Sequence, residues 1–228
     1  MENNNTVAKE IRMTVAQALL AARCVQVCAD EPFRLPSGWA SPVYMDCRIL
    51  ISFPDIMRQL VNEGLVLLKQ SGALDRIDSV AGAESSGIAL AAWFSQTLNL
   101  PMQYVRKQTR GLGRDNQTVG VTEAGNSVLL IDDLMAGGYS IVNFYRGLHT
   151  AGLGIKDVFV IFNYGTFPTE KLFAPLGIKV HFLATWRDVF EAMQLSGQYE
   201  KKTMQELENF LADPVQWSLK HNGYPRTV

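Results

Sequence analysis

The sequence predicts an α/β fold with a mostly parallel sheet, on three observations. From Ser79 onward, short strand-like runs alternate with helical patterns, as in a parallel sheet covered on both faces. The run Val128–Ile131 is four apolar residues followed by two acids and a Gly-Gly turn, the pattern of a buried strand with polar groups at its end. The chain has 228 residues, 47% hydrophobic and 19% charged, enough for one generous domain and too apolar for disorder.

The elements follow in order. Asn5 or Thr6 caps a first helix whose apolar positions (Val7, Ile11, Val15, Leu19) keep helical spacing to about Cys28. Cys24 and Cys28, four apart, then share a face of that helix. Residues 33–50, FRLPSGWASPVYMDCRIL, carry prolines, a Ser-Gly turn and aromatics, which predicts two short strands around a turn. Pro54 starts a helix after Ser52 that runs to about Gln70. Next come strand Ser79–Ala83, helix Gly87–Leu98, strand Met102–Arg106 and a polar Gly-rich loop Gln108–Gly120. Strand Ser127–Asp133, helix Ser140–Ala151, strand Val158–Phe162, helix Thr169–Leu176, strand Ile178–Leu183 and helix Trp186–Leu195 continue the alternation. Helix Thr203–Ala212 precedes a tail with Pro214, Trp217 and Pro225. With no repeat or low-complexity linker, the reading is one domain: a small N-terminal lobe (roughly 30–50), a core (54–200), and a C-terminal helix and tail (201–228).

Composition narrows the function. A net charge of −1 offers no basic field for nucleic acid. Three cysteines without a C-x-x-C motif fit reduced thiols, and three scattered histidines argue against zinc. No apolar run is long enough to span a bilayer, and the polar N-terminus MENNNTVAKEIR is unlike a signal peptide. A cytoplasmic protein without membrane partners is expected.

Ligands of open parallel sheets bind beyond the carboxyl ends of the strands. Three such ends carry candidates. Ala81–Gly87, AGAESSG, places Ser85 and Ser86 where backbone amides can approach a pyrophosphate; taken alone, the segment reads first as an ordinary tight turn. Arg106, Lys107, Arg110 and Arg114 put four cations within nine residues, with Gly111 and Gly113, a loop suited to phosphate. Asp132 and Asp133 repel each other unless cations or hydroxyl donors compensate. Just past a strand ending at Asp133, both carboxylates are expected to turn toward one ligand and accept hydrogen bonds from vicinal sugar hydroxyls. Amides at the following turn and the helix opened by Ser140 hold a phosphate. Together these features describe a pocket for a ribose 5-phosphate. Neither G-x-G-x-x-G nor a Walker-A loop is present.

These segments resemble those of type I phosphoribosyltransferases, above all the orotate phosphoribosyltransferases. Phe33–Asp46 is similar to that family's LxSGxxSPxYxD, Ala81–Ala91 to AGxExxGIxxA, and Tyr104–Gly113 to YVRKxxKxxG. Val128–Ser140 is similar to its phosphoribosyl pyrophosphate signature. The resemblance implies a twisted parallel sheet under an N-terminal hood, and a homodimer whose basic loop closes over the partner's site. It implies transfer of phosphoribosyl from 5-phosphoribosyl 1-pyrophosphate to N1 of orotate, giving orotidine 5′-phosphate, with Mg2+ bridging the donor's pyrophosphate and ribose hydroxyls. Carried over, Arg110, Asp132 and Asp133 are catalytic. Arg106, Lys107, Arg114, Ser85 and Ser86 bind the donor, with Leu134, Met135, Ala136, Gly137, Gly138, Tyr139 and Ser140 around its phosphate. Ser37, Gly38, Tyr44, Met45 and Ala136 border the base.

The chain departs from the family pattern at five positions. Arg110 stands for a lysine, Leu112 for a frequent histidine, Ala136 for a threonine, Tyr139 for a small residue and Pro36 for a frequent lysine. Two other readings accommodate those changes: a paralogue that binds a phosphoribosyl ligand as a regulator, or a phosphoribosyltransferase for another base.

Overall fold

The structure is a computed structural model and describes residues 2–28, 31–109 and 117–224. Ten strands are described: β1 Val25–Val27, β2 Phe33–Arg34, β3 Ala40–Ser41, β4 Val43–Met45, β5 Ser79–Ala83, β6 Met102–Val105, β7 Thr118–Val119, β8 Ser127–Met135, β9 Gly154–Asn163 and β10 Lys179–Thr185. The helices are α1 Glu2–Ala21, α2 Pro54–Gln70, α3 Ser86–Leu98, α4 Tyr139–Thr150, α5 Glu170–Phe173, α6 Trp186–Ser196, α7 Lys201–Ala212 and α8 Pro214–Lys220.

Six strands form the central sheet in the order β10-β9-β8-β5-β6-β7. All pairs are parallel except β6–β7. Its middle strands are apolar because both faces are covered. Leu129 and Ile131 of β8 pack into one core with residues of α1, α2, α3 and α6, while Val128 and Leu130 face a second core with α4 and α5. That alternation is the two-residue period of a strand.

The N-terminal lobe is built from two small antiparallel pairs, β1 with β4 and β2 with β3. Here the structure corrects the expected first helix. It ends at Ala21, where Arg23 enters the left-handed region (φ 59°) and the Arg23 and Cys24 N–H groups donate back to Leu20 and Leu19. Val25–Val27 is taken into a ladder by β4, a tertiary pairing that overrides helical spacing. Cys24 and Cys28 therefore flank β1 and share no helix face. Asn5 and Thr6 lie within α1 rather than ahead of it.

Other boundaries shift for similar reasons. β7 forms inside the expected loop by pairing with β6. α5 is a single turn followed by a 3-10 turn at Ala174–Leu176. The tail contains α8, with Pro214 in its first turn and the Asp213 side chain accepting from the Gln216 N–H at 3.1 Å. Trp217 packs on Phe210 with ring centroids 5.3 Å apart. Beyond it the tail clamps the lobe: the Ser218 hydroxyl accepts from the Ala40 N–H at 2.8 Å, and the Tyr224 N–H donates to Gly38 at 3.0 Å. Thus the C-terminus holds the turn that carries Ser37 and Gly38. Among the described residues no helix is long and apolar enough to cross a membrane.

Toward the amino ends of the strands, Arg76 grips buried Asp157 through Nε and Nη2, both at 2.8 Å. His181 Nε2 lies 2.7 Å from Asp157 Oδ1 and donates, because an ionised carboxylate only accepts. Burial raises the Asp157 pKa, but hydrogen bonds from Arg76 and His181 outweigh it and hold the carboxyl below the usual range. Burial depresses His181, against the opposing pull of Asp157. A histidine depressed in the fold takes up a proton more readily when unfolded. Its neutral form therefore stabilises the fold above about pH 6.5, and this contribution is lost as pH falls from there. We expect Asp157→Ala to lower the unfolding free energy by about 1–3 kcal/mol in denaturant titrations. Against His181→Gln, wild type should lose stability between about pH 7.5 and pH 5, and a constant difference would exclude the histidine from the acid response.

Candidate active site

The carboxyl ends of β5, β6 and β8 meet at one place. β5 ends at Ala83, the Glu84–Ser85 peptide is cis, and α3 begins at Ser86. The N-terminus of α3 presses on β8. A Cβ added at Gly87 would collide with the Ile131 carbonyl oxygen and stand 3.0 Å from Asp132 Cα. Only glycine permits that approach.

β8 does not stop at Asp133. Leu134 and Met135 pair with Phe162 and Asn163 of β9, which draws the strand two residues further. Both acids are consequently inside the strand, and their backbone positions alternate between faces. Asp133 lines a cavity of about 210 Å³ together with Cys47, Arg48, Ser85, Ser86 and Ile161, whereas Asp132 is not among its lining residues. The expected end of the strand at Asp133 is thereby corrected, since β8 runs on to Met135. The two carboxyl groups remain neighbours, and the charge on Asp133 acts on Asp132. Asp133 accepts from its own chain at Leu134 N (2.9 Å) and from Ser86, and the Asp133 N–H donates to Asp132 Oδ1 at 2.9 Å.

Both acids are over 90% shielded from solvent, at 8% and 9% exposure. Burial first, then the Asp133 charge, pushes Asp132 well above the ordinary carboxylate range, with Lys107 pulling the other way. Burial also raises Asp133, partly offset by the hydrogen bonds it accepts. Such a pair favours ligands that bring hydroxyl donors or positive charge.

The cationic loop is anchored at its base. Arg106 N–H donates to Gln117 O at 2.8 Å, and Gln117 Nε2 returns a bond to Arg106 O at 2.9 Å. Lys107 N–H donates to Glu84 at 2.8 Å, while Asn143 of α4 donates to Lys107 O at 2.9 Å. Lys107 is thereby held beside the turn before α3. Arg110, Leu112 and Arg114 lie outside the described residues.

At the phosphate turn, Gly138 adopts φ +79° and caps α4, which opens at Tyr139, one residue before the expected Ser140. No side chain caps this helix, so its first-turn amides are free to meet an anion. The Tyr139 ring folds back over the turn: a Cβ on Gly137 would lie 3.4 Å from it and 3.3 Å from Ser37 Cβ. The hood thus delivers Ser37, whose buried hydroxyl has no partner among the described residues, to the phosphate turn. Gly38 follows it in the same clamped turn. Leu134 and Ala136 are half-buried, Met135 is buried and Ser140 is exposed.

Tyr44 is half-buried beside Phe33, with ring centroids 5.7 Å apart. The Met45 side chain is fully enclosed in the core, and its N–H donates to the Tyr164 hydroxyl at 3.2 Å. Sequence reasoning missed Arg48, which lines the Asp133 cavity and is held by Asp46. The Asp-x-Arg spacing just beyond the aromatic segment was the available signal.

We expect Gly87→Ala to push α3 away from β8. The predicted loss is about 1–3 kcal/mol in unfolding free energy, read by denaturant, with a parallel loss of ligand-induced thermal stabilisation. Ligand response unchanged from wild type would mean that the contact does not shape the site.

Known proteins give this site a context. No protein-family model matches the chain. An orotate phosphoribosyltransferase of Rhizobium rhizogenes is 39% identical over 210 residues, covering 92% of this chain and 90% of that protein. One of Dinoroseobacter shibae is 40% identical over 213 residues, covering 93% and 94%. Among solved structures, Leishmania donovani UMP synthase superposes with a TM-score of 0.75 at 24% identity, over 88% of this chain and 42% of that longer one. The Aeropyrum pernix orotate phosphoribosyltransferase gives 0.68 at 26% identity, over 82% and 99%. A six-stranded, mostly parallel sheet, a β8 that carries paired acids against α3 and relatives at this identity lead to one conclusion: the chain belongs to the orotate phosphoribosyltransferase family.

Proposed function

We propose that this protein transfers the phosphoribosyl group of 5-phosphoribosyl 1-pyrophosphate to N1 of orotate, yielding orotidine 5′-phosphate and pyrophosphate. The observation that carries the reading is the convergence of Asp132–Asp133, the α3 entry loop and the uncapped Gly137–Gly138 turn at one sheet end. Full-length relatives of that name support it.

Charge assigns the roles. As pyrophosphate departs, the ribose gains oxocarbenium character. Asp133, with Asp132 behind it, accepts from the sugar hydroxyls and favours that positive charge. Their burial leaves both carboxyls short of compensation until a ligand arrives. The first-turn amides of α4 and the turn before it hold the 5-phosphate. Ser85 and Ser86, Arg106, Lys107 and Arg114 face the pyrophosphate, and Arg110 on the loop stabilises it as it leaves. A guanidinium does this as a fixed charge, without donating a proton. Closure of the loop excludes water that would otherwise hydrolyse the activated ribose. Gly38, Tyr44, the backbone at Met45 and Ala136 border the base.

Among the described residues there is no cluster of three or more metal-ligating side chains. Asp132 and Asp133, as hard carboxylates, would help hold Mg2+, which would supply charge neutralisation to the pyrophosphate. A homodimer in the cytoplasm, each basic loop serving the neighbouring site, completes the proposal.

Orotate absorbance should fall when the protein is mixed with orotate, the donor and magnesium, and no turnover above background rejects the assignment. Asp133→Asn should lower kcat/KM by about 100-fold. Its unfolding free energy should hold or rise, since burial already disfavours the charge. A matching loss of folding stability would make the acid structural. Arg110→Ala should depress turnover while Arg110→Lys retains it.

A further inference from the structure

Arg48 stands apart from every segment that carries the family resemblance, yet it lines the same cavity as Asp133, Ser85 and Ser86. Its side chain is 62% exposed. Exposed arginines usually sample many rotamers, but this one is clamped. Nε donates to Asp46 Oδ1 at 2.6 Å and Nη2 to Asp46 Oδ2 at 2.7 Å, the bidentate geometry that fixes a guanidinium plane. Nη2 also lies 3.5 Å from the Tyr44 hydroxyl. Asp46 is itself held, its N–H donating to Cys24 O at 2.8 Å across the β1–β4 ladder. One edge of the guanidinium is therefore committed to the hood. Nη1 on the other edge has no hydrogen-bond partner among the described residues.

The cavity explains that arrangement. Leu50, Met57, Leu90 and Ile161 make much of its lining apolar. Its polar lining residues include Asp133, Ser85, Ser86 and Arg48, and Arg48 is the one cationic residue among them. Of the charged lining residues, Asp133 repels an anionic group and Arg48 attracts it. A cation pre-oriented by a carboxylate loses little further entropy when it binds.

Resting on the phosphoribosyltransferase reading, we propose that Arg48 is a substrate-binding residue that takes an anionic oxygen group through its free edge, with Asp46 as its positioning residue. Two substrate groups share that chemistry: the carboxylate of the acceptor base and the diphosphate of the donor. Separate Michaelis constants distinguish them.

The test is steady-state kinetics of the full-length protein with Arg48→Gln, Arg48→Lys and Asp46→Asn, alongside thermal unfolding. Loss of one charge-assisted hydrogen bond should raise one KM roughly ten- to hundredfold in Arg48→Gln. A rise confined to orotate assigns the carboxylate, and a rise confined to the donor assigns the diphosphate. Arg48→Lys should recover part of the affinity, and Asp46→Asn should move the same constant in the same direction by less. If both constants stay at wild-type values in a folded Arg48→Gln protein, the inference is wrong. It is equally wrong if Arg48→Gln loses activity only in proportion to lost thermal stability. Wild-type protein inert toward orotate would instead sink the underlying reaction, so the two failures remain separate.

Discussion

The contact between the α3 entry and β8 at Gly87 governs the rest of the site. A helix start cannot usually lie on a strand backbone, because a side chain would hold them apart. Here the absent Cβ lets Ser85 and Ser86 reach the level of Asp133. The same closeness keeps water from the acids. Their burial and their raised pKa values follow from it, and so does their appetite for hydroxyl donors and cations.

Electrostatic demand at the strand end is met from three directions. Lys107 arrives on the stem of the basic loop, fixed by Glu84 and Asn143. Arg48 arrives from the hood, fixed by Asp46. The amide-lined start of α4 supplies partial positive charge without a side chain. Each of these is held by its own local bonds, so the site is oriented before any ligand enters.

The C-terminus has an unexpected part in this arrangement. α8 and the residues after it bond to Ala40 and Gly38, so the end of the chain braces the turn that brings Ser37 to Gly137. Tyr139, bulky at a position where the family favours small residues, packs against Gly137 of the same turn. The hood, the phosphate turn and the tail thus form one packed unit.

Local pattern alone determined the alternation of strands and helices, the α2 limits at Pro54 and Gln70, and the identity of the acid, serine and glycine candidates. Those features depend on nearest neighbours along the chain, where apolar period, proline and glycine act directly. Tertiary structure decided the rest. Pairing with β4 converted the end of an expected helix into β1, and pairing with β9 carried β8 past its acids, so that Asp132 and Asp133 lie inside the strand. It also brought Arg48, Ser37 and residues 218–224 to the site from distant stretches of sequence. Hydrogen-bond partners across a ladder and side chains that meet across a cavity are set by packing between remote segments, and no periodicity within a single segment encodes them.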